Sequence, residues 1–97
     1  MLLLGRFKIY GHSMEPELRE NQQIIASSTP YWFTSPRKGD VVVVKHPQEN
    51  RVIIKRITRV DHNTYWVLGD NPRSSSDSRH FGPITKNNIL AKIIFVF

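Results

Sequence analysis

The sequence predicts an all-β domain, compact and barrel-like. Three observations carry that prediction. β-Branched and aromatic residues gather in short runs, turn-forming residues separate those runs, and no stretch sustains three turns of amphipathic helix. With 97 residues the chain has room for one domain, residues 1–97, and for a small core.

The strands follow in order. Arg6–Tyr10 is short and mixed, and Gln22–Ala26 is the second run. Asp40–His46 holds four consecutive valines, the pattern of a strand buried on both faces. Arg51–Val60 alternates β-branched and basic residues, Thr64–Leu68 is aromatic and β-branched, and Ile89–Phe97 is apolar. Turn signals fall between them at Ser35–Asp40, His46–Asn50 and Asp61–Asn63. Pro16–Asn21 has proline at its start and is expected to form a single helical turn. Two stretches are poor strand or helix formers: Gly11–Leu18, and the polar run Leu68–Pro83. Polar loops of that length in small domains are usually functional or disordered.

Composition narrows the chemistry. There is no cysteine, which excludes disulfides, thiolate metal sites and thiol catalysis. His12, His46, His62 and His80 lack metal-site spacing, so no metal and no cofactor is expected. No run approaches the ~20 apolar residues of a membrane helix, so no transmembrane anchor is expected in this chain. Lys+Arg exceed Asp+Glu by 14 to 8, a net charge of +6 that suits nucleic acid, an anionic membrane or an acidic peptide.

One lysine is chemically informative. Strand parity puts Ile53, Lys55 and Ile57 on one face and Val52, Ile54 and Arg56 on the other. An ammonium between two isoleucines is desolvated, its pKa falls, and its neutral form can take the proton of a serine hydroxyl. Taken alone, Lys55 reads more readily as a lysine that snorkels its head to water.

Four segments, in order, change that balance. Gly11-His12-Ser13-Met14-Glu15-Pro16-Glu17-Leu18, Gly39-Asp40-Val41-Val42-Val43-Val44, Ile54-Lys55-Arg56-Ile57, and Gly69-Asp70-Asn71 followed by Ser75 and Asp77-Ser78-Arg79 resemble the boxes of the signal peptidase I family of serine–lysine proteases. The resemblance implies a coiled β-sheet of the signal peptidase I/LexA-like type, reduced to its catalytic core without the large inserted domain. It implies a serine endopeptidase with Ser13 as nucleophile, Lys55 as general base and Ser75 orienting the lysine amine. The Ser13 N–H would serve the oxyanion hole. Arg56 and Asp70 would pair as ions, Asp77, Ser78 and Arg79 would support the loop, and Met14 would line the cleft.

Residues 65–72, 76–79 and 81–83 further resemble a short branch, the maturation proteases of nickel-type superoxide dismutase. That likeness implies removal of an N-terminal propeptide from a precursor polypeptide, in the cytoplasm, with nickel belonging to the product. Gly11 departs from the family where some members carry a serine that donates to the oxyanion, Glu17 replaces threonine, and the large insertion is missing. The wider alternative is signal peptidase I-like processing of exported proteins. Two other readings compete: a Ser13/His80/Asp77 triad, and a basic β-barrel that binds nucleic acid through Trp32, Phe33, Tyr65 and Trp66 with Lys55, Arg56 and Arg59. The second leaves the Ser13 and Asp77 segments unexplained, so no nucleic acid is expected.

Overall fold

The structure, a computed structural model, describes residues 4–74 and 76–97. The six expected strands and one further short strand, β6, form one antiparallel sheet in which β1 (Leu4–Lys8), β2 (Gln23–Ser27), β3 (Val41–Lys45), β4 (Val52–Asp61), β5 (Thr64–Leu68), β6 (Ile84–Thr85) and β7 (Ile89–Val96) lie in the order β1-β2-β7-β3-β4-β5-β6. Register shifts at Ile25/Ala26, Val43/Val44 and Ile57/Arg59 sharpen the local twist and help curl the sheet into a half-barrel.

The valine run behaves as its sequence predicts. Val42, Val43 and Val44 are fully buried at the centre of the sheet, because β3 is flanked by β7 and β4 and covered on both faces. Val42 and Val44 pack with Ile53, Ile57, Tyr65, Val67, Ile84 and Ile89. Val43 packs on the opposite face with Ala26 and Ala91. A third cluster, Ile9, Met14, Leu18 and Ile24, anchors the loop after β1 against the sheet.

Several expectations shift. β1 begins and ends two residues before the predicted Arg6–Tyr10, because Leu4–Lys8 pairs with β2 while Ile9 already serves the loop, donating to the Gln22 carbonyl. No helix forms at Pro16–Asn21. The chain there makes one 14-to-18 backbone bond and turns as Met14 and Leu18 enter the core. The long polar run is more ordered than a single loop: it contains a 3-10 turn at Pro72–Ser74 and an α-turn at Ser78–Phe81, and the two-residue β6 follows it directly. Another four-residue helix, Pro30–Phe33, starts with proline at its first turn.

Candidate active site

Ser13 lies two residues after Gly11, whose φ of 79° suits a residue without a side chain. Side chains from elsewhere fasten this turn. Glu20 accepts the Gly11 N–H at 3.0 Å, and Glu15 pairs with His12 at 2.6 Å. Asn71 holds two consecutive carbonyls, donating its backbone N–H to Ser13 (2.7 Å) and its side-chain amide to His12 (3.1 Å). Met14, next in sequence, is 2% exposed and sits in the core beneath the site while also bordering the groove.

Strand parity places Lys55 as expected. Ile53, Lys55 and Ile57 are all buried, and Lys55 is 4% exposed. Its Nζ donates to Ser13 Oγ at 2.8 Å across 42 residues of sequence. The lysine does not snorkel to water. Burial is the largest influence on its amine and lowers the pKa from 10.5 to about 8. Asp77 opposes that shift, while Arg51 and Arg79 reinforce it.

Arg56, one residue on, faces the other way. Its Nε and Nη2 donate to the two Asp70 oxygens at 3.0 Å each, and Nη1 donates to the Gly39 carbonyl at 3.1 Å. Asp77 is completely buried and starts the α-turn at Ser78–Phe81. It accepts from the Gly69 and Arg79 N–H groups at 2.9 and 3.0 Å and is gripped by the Arg79 guanidinium. The buried Ser78 hydroxyl accepts from Val67 N at 2.9 Å. These bonds tie the loop to β5. Ser75 lies outside the described residues.

The competing constellations fare differently. The Ser13 hydroxyl meets Lys55, while the His80 ring faces the Asp77 N–H as part of a capping box. The aromatic platform is divided, because Tyr65 is buried in the core whereas Trp32 and Phe33 are exposed elsewhere. Sequence reading passed over Asn71 and Glu20 as positioning groups. Asn71 stands inside the quoted Gly-Asp-Asn segment; nothing local to Glu20 marks it.

A groove of about 620 Å³ opens beside the pair. Its walls are residues 6–13 and 51–55. Among the described residues β1 has a partner on one edge alone, and β5 joins β4 only from Arg56 onward, so both walls present unpaired strand edges.

The sequence pattern of the signal peptidase family, peptidase S26, matches residues 1–60 and 58–97. The chain belongs to this family. It is 30% identical over 95 residues to mitochondrial inner membrane protease subunit 1 of Xenopus tropicalis, covering 76% of this chain and 57% of that protein. Similarity to the mitochondrial ATP-independent inner membrane protease subunit 1a of Arabidopsis thaliana is 31% over 116 residues, covering 95% and 69%. Signal peptidase I V of Bacillus subtilis is 24% identical over 138 aligned positions, covering 90% and 82%. Those 138 positions exceed the 97 residues present, so the Bacillus protein carries insertions relative to this S26 chain. The chain spans 57% of the frog relative and 64% of its mouse and human counterparts. Among the described residues, no helix is long and apolar enough to cross a membrane.

Proposed function

We propose that this chain is a Ser/Lys-dyad serine endopeptidase of the signal peptidase I type, which removes an N-terminal segment from a precursor polypeptide. The observation that carries the reading is the contact of Lys55 Nζ with Ser13 Oγ at 2.8 Å, made by an amine buried enough to lose its proton near pH 8. In the neutral form the hydrogen bond reverses, and Ser13 O–H donates to the lysine nitrogen. Lys55 takes that proton as Oγ attacks the scissile carbonyl. The Ser13 N–H stabilises the developing oxyanion, with Asn71 and Glu20 holding the turn that aims it. The protonated lysine then donates to the leaving amine. Water, deprotonated by the same lysine, hydrolyses the acyl-enzyme and frees Ser13.

An extended substrate fits the groove as an added strand between the open edges of β1 and residues 52–55 of β4. Ser75 is assigned to orient the amine on the strength of the family resemblance, and Asp77, Ser78 and Arg79 to hold its loop in place. The relatives' names, signal peptidase and inner membrane protease, favour processing of exported or membrane-directed precursors. They also favour a membrane-associated place of action over the cytoplasm. Maturation of a nickel superoxide dismutase precursor is the narrower substrate reading and rests on the resemblance of residues 65–72, 76–79 and 81–83.

Intact-mass analysis tests both. The protein is incubated separately with an exported precursor bearing its signal peptide and with a nickel superoxide dismutase precursor, beside Ser13→Ala and Lys55→Ala. A single N-terminal truncation, absent with both variants, is expected. The truncated precursor identifies the substrate class. Truncation that persists in either variant removes the dyad.

A further inference from the structure

The groove beside Ser13 carries unbalanced charge. Among the described residues, Arg6, Lys8, Arg51 and Lys55 line it and no carboxylate does; His12, also in the lining, is already paired with Glu15 at 2.6 Å and adds nothing to that excess. β-Strand alternation arms the β1 wall: Arg6 and Lys8 are exposed, while Ile9 turns into the core. Their partners leave the charge in place. Arg6 Nε donates to the neutral Gln23 amide oxygen at 2.5 Å, and its guanidinium lies over the Phe97 ring, 5.3 Å from the centroid. Lys8 has no ion pair among the described residues. Arg51 is 2.6 Å from Glu49, but both side chains are about half exposed, so solvent weakens that pair.

Position along the groove matters as much as sign. A carboxylate seated against Lys55 would favour its ammonium form and suppress the base. Arg6 and Lys8 stand further up the β1 wall, where a substrate acid is met away from the dyad. An extended chain presents alternate side chains to one wall, which matches the two-residue spacing of these cations.

We propose that the groove selects acidic polypeptide segments, whose carboxylates several residues from the scissile bond are held by Arg6 and Lys8, with Arg51 assisting. This rests on the protease reading, and Arg6 and Lys8 are its specificity-determining residues. Complementary charge of this kind raises the encounter rate and rejects basic sequences.

Two readouts separate this selection from the reading beneath it. The first digests a mixed peptide library with the wild-type protein and maps the cleavage sites by mass spectrometry. Sites enriched in Asp and Glu several residues from the cut are expected. The second measures anisotropy of two labelled peptides, one with Glu at alternate positions and one with Gln, on the Ser13→Ala protein. The Glu peptide is expected to bind about fivefold tighter at low salt. That margin should shrink at high salt and vanish when Arg6→Gln and Lys8→Gln are added. Both are exposed, so the fold should survive. Cleavage without acidic enrichment overturns the selection, as does equal binding of the two peptides. Acid-selective binding that survives Arg6→Gln/Lys8→Gln overturns it too. Phosphatidylglycerol vesicles form a control arm: if they bind through Arg6 and Lys8 while the Glu peptide does not, the patch serves a membrane and the proposal fails. Selective binding with no library peptide cut supports the selection and sinks the protease reading instead.

Discussion

Lys55 and Arg56 are consecutive cations on β4, and the pleat sends them to opposite faces. Lys55 enters the core between Ile53 and Ile57 and meets a hydroxyl; Arg56 stays partly solvated and meets both oxygens of Asp70. Their proton affinities move in opposite directions. Burial lowers that of Lys55 to about 8, whereas the hydrogen bonds that Arg56 donates to Asp70 raise that of Arg56. A cation paired with a carboxylate is fixed in its charged state and serves structure. A cation buried against a hydroxyl is poised to release its proton and is suited to chemistry. One residue of register decides which is which.

The hardest way to break that contrast is to give position 55 a proton it cannot lose. Lys55→Arg conserves charge, but guanidinium stays protonated. Turnover should fall by about 10⁴-fold, the scale seen when a member of a catalytic constellation is lost. The wild-type pH–rate profile should rise as pH climbs through about 8, since the neutral amine accumulates above its pKa. Steady-state assays across pH 6–10, with circular dichroism confirming the fold, check both. Near-normal turnover in Lys55→Arg removes the lysine as base.

The second test reaches Lys55 from a distance. Asp77 is fully buried, holds Gly69 N–H and the Arg79 guanidinium, and its negative charge supports the Lys55 ammonium. Asp77→Asn should cost about 2–3 kcal/mol in urea denaturation, because it leaves backbone donors and an arginine poorly matched. In the protein that remains folded, losing the negative charge lowers the lysine pKa further, so the rise of the pH–rate profile moves to lower pH. An unmoved profile would mean that the loop supports the site mechanically and not through its field.

Much of this was legible in the sequence because strand parity is local. The four valines mark the central strand, and the Ile53/Lys55/Ile57 alternation marks a buried amine, from spacing alone. The meeting of Lys55 with Ser13 was not legible in that way. The two are 42 residues apart and lie on a strand and a turn that only the curled sheet brings together, so they were paired by resemblance. Asn71 and Glu20 were missed for the same reason: each acts on a backbone group distant in sequence. Pro16–Asn21 misled because proline and polar residues fit a helical start, while burial of Met14 and Leu18 dictates an irregular turn. β6 is two residues long, too short to show a period.

A third test asks what the buried ammonium costs the fold. The native pKa of Lys55 is depressed, so the unfolded chain binds the proton more tightly. The penalty is complete below pH 8 and fades as pH rises from about 8 towards 10.5, where both states become neutral. Lys55→Met keeps the length and removes the charge. At pH 7 it should be more stable than wild type by about 1 kcal/mol, or about 4–8 °C in Tm for a domain of this size. The advantage should diminish as the pH is raised. A variant less stable than wild type at pH 7 would show that the Ser13 contact repays the desolvation.

The smallest effect belongs to the other cation. Arg56→Lys preserves charge beside Asp70 but loses the two-pronged geometry and the bond to the Gly39 carbonyl. The pair is partly solvated, with side-chain exposures of 30% and 22%, so the loss should be about 0.5–1 kcal/mol by denaturation. Turnover and the position of the pH–rate rise should not change, because Arg56 points away from the groove that Ser13 and Lys55 share. The variant therefore separates the two faces of β4 directly. If turnover collapses at unchanged stability, Arg56 acts on the dyad through the strand, and the division between a structural and a chemical cation at adjacent positions fails. If stability falls slightly and turnover holds, a single step along the pleat is enough to insulate the base from the ion pair beside it.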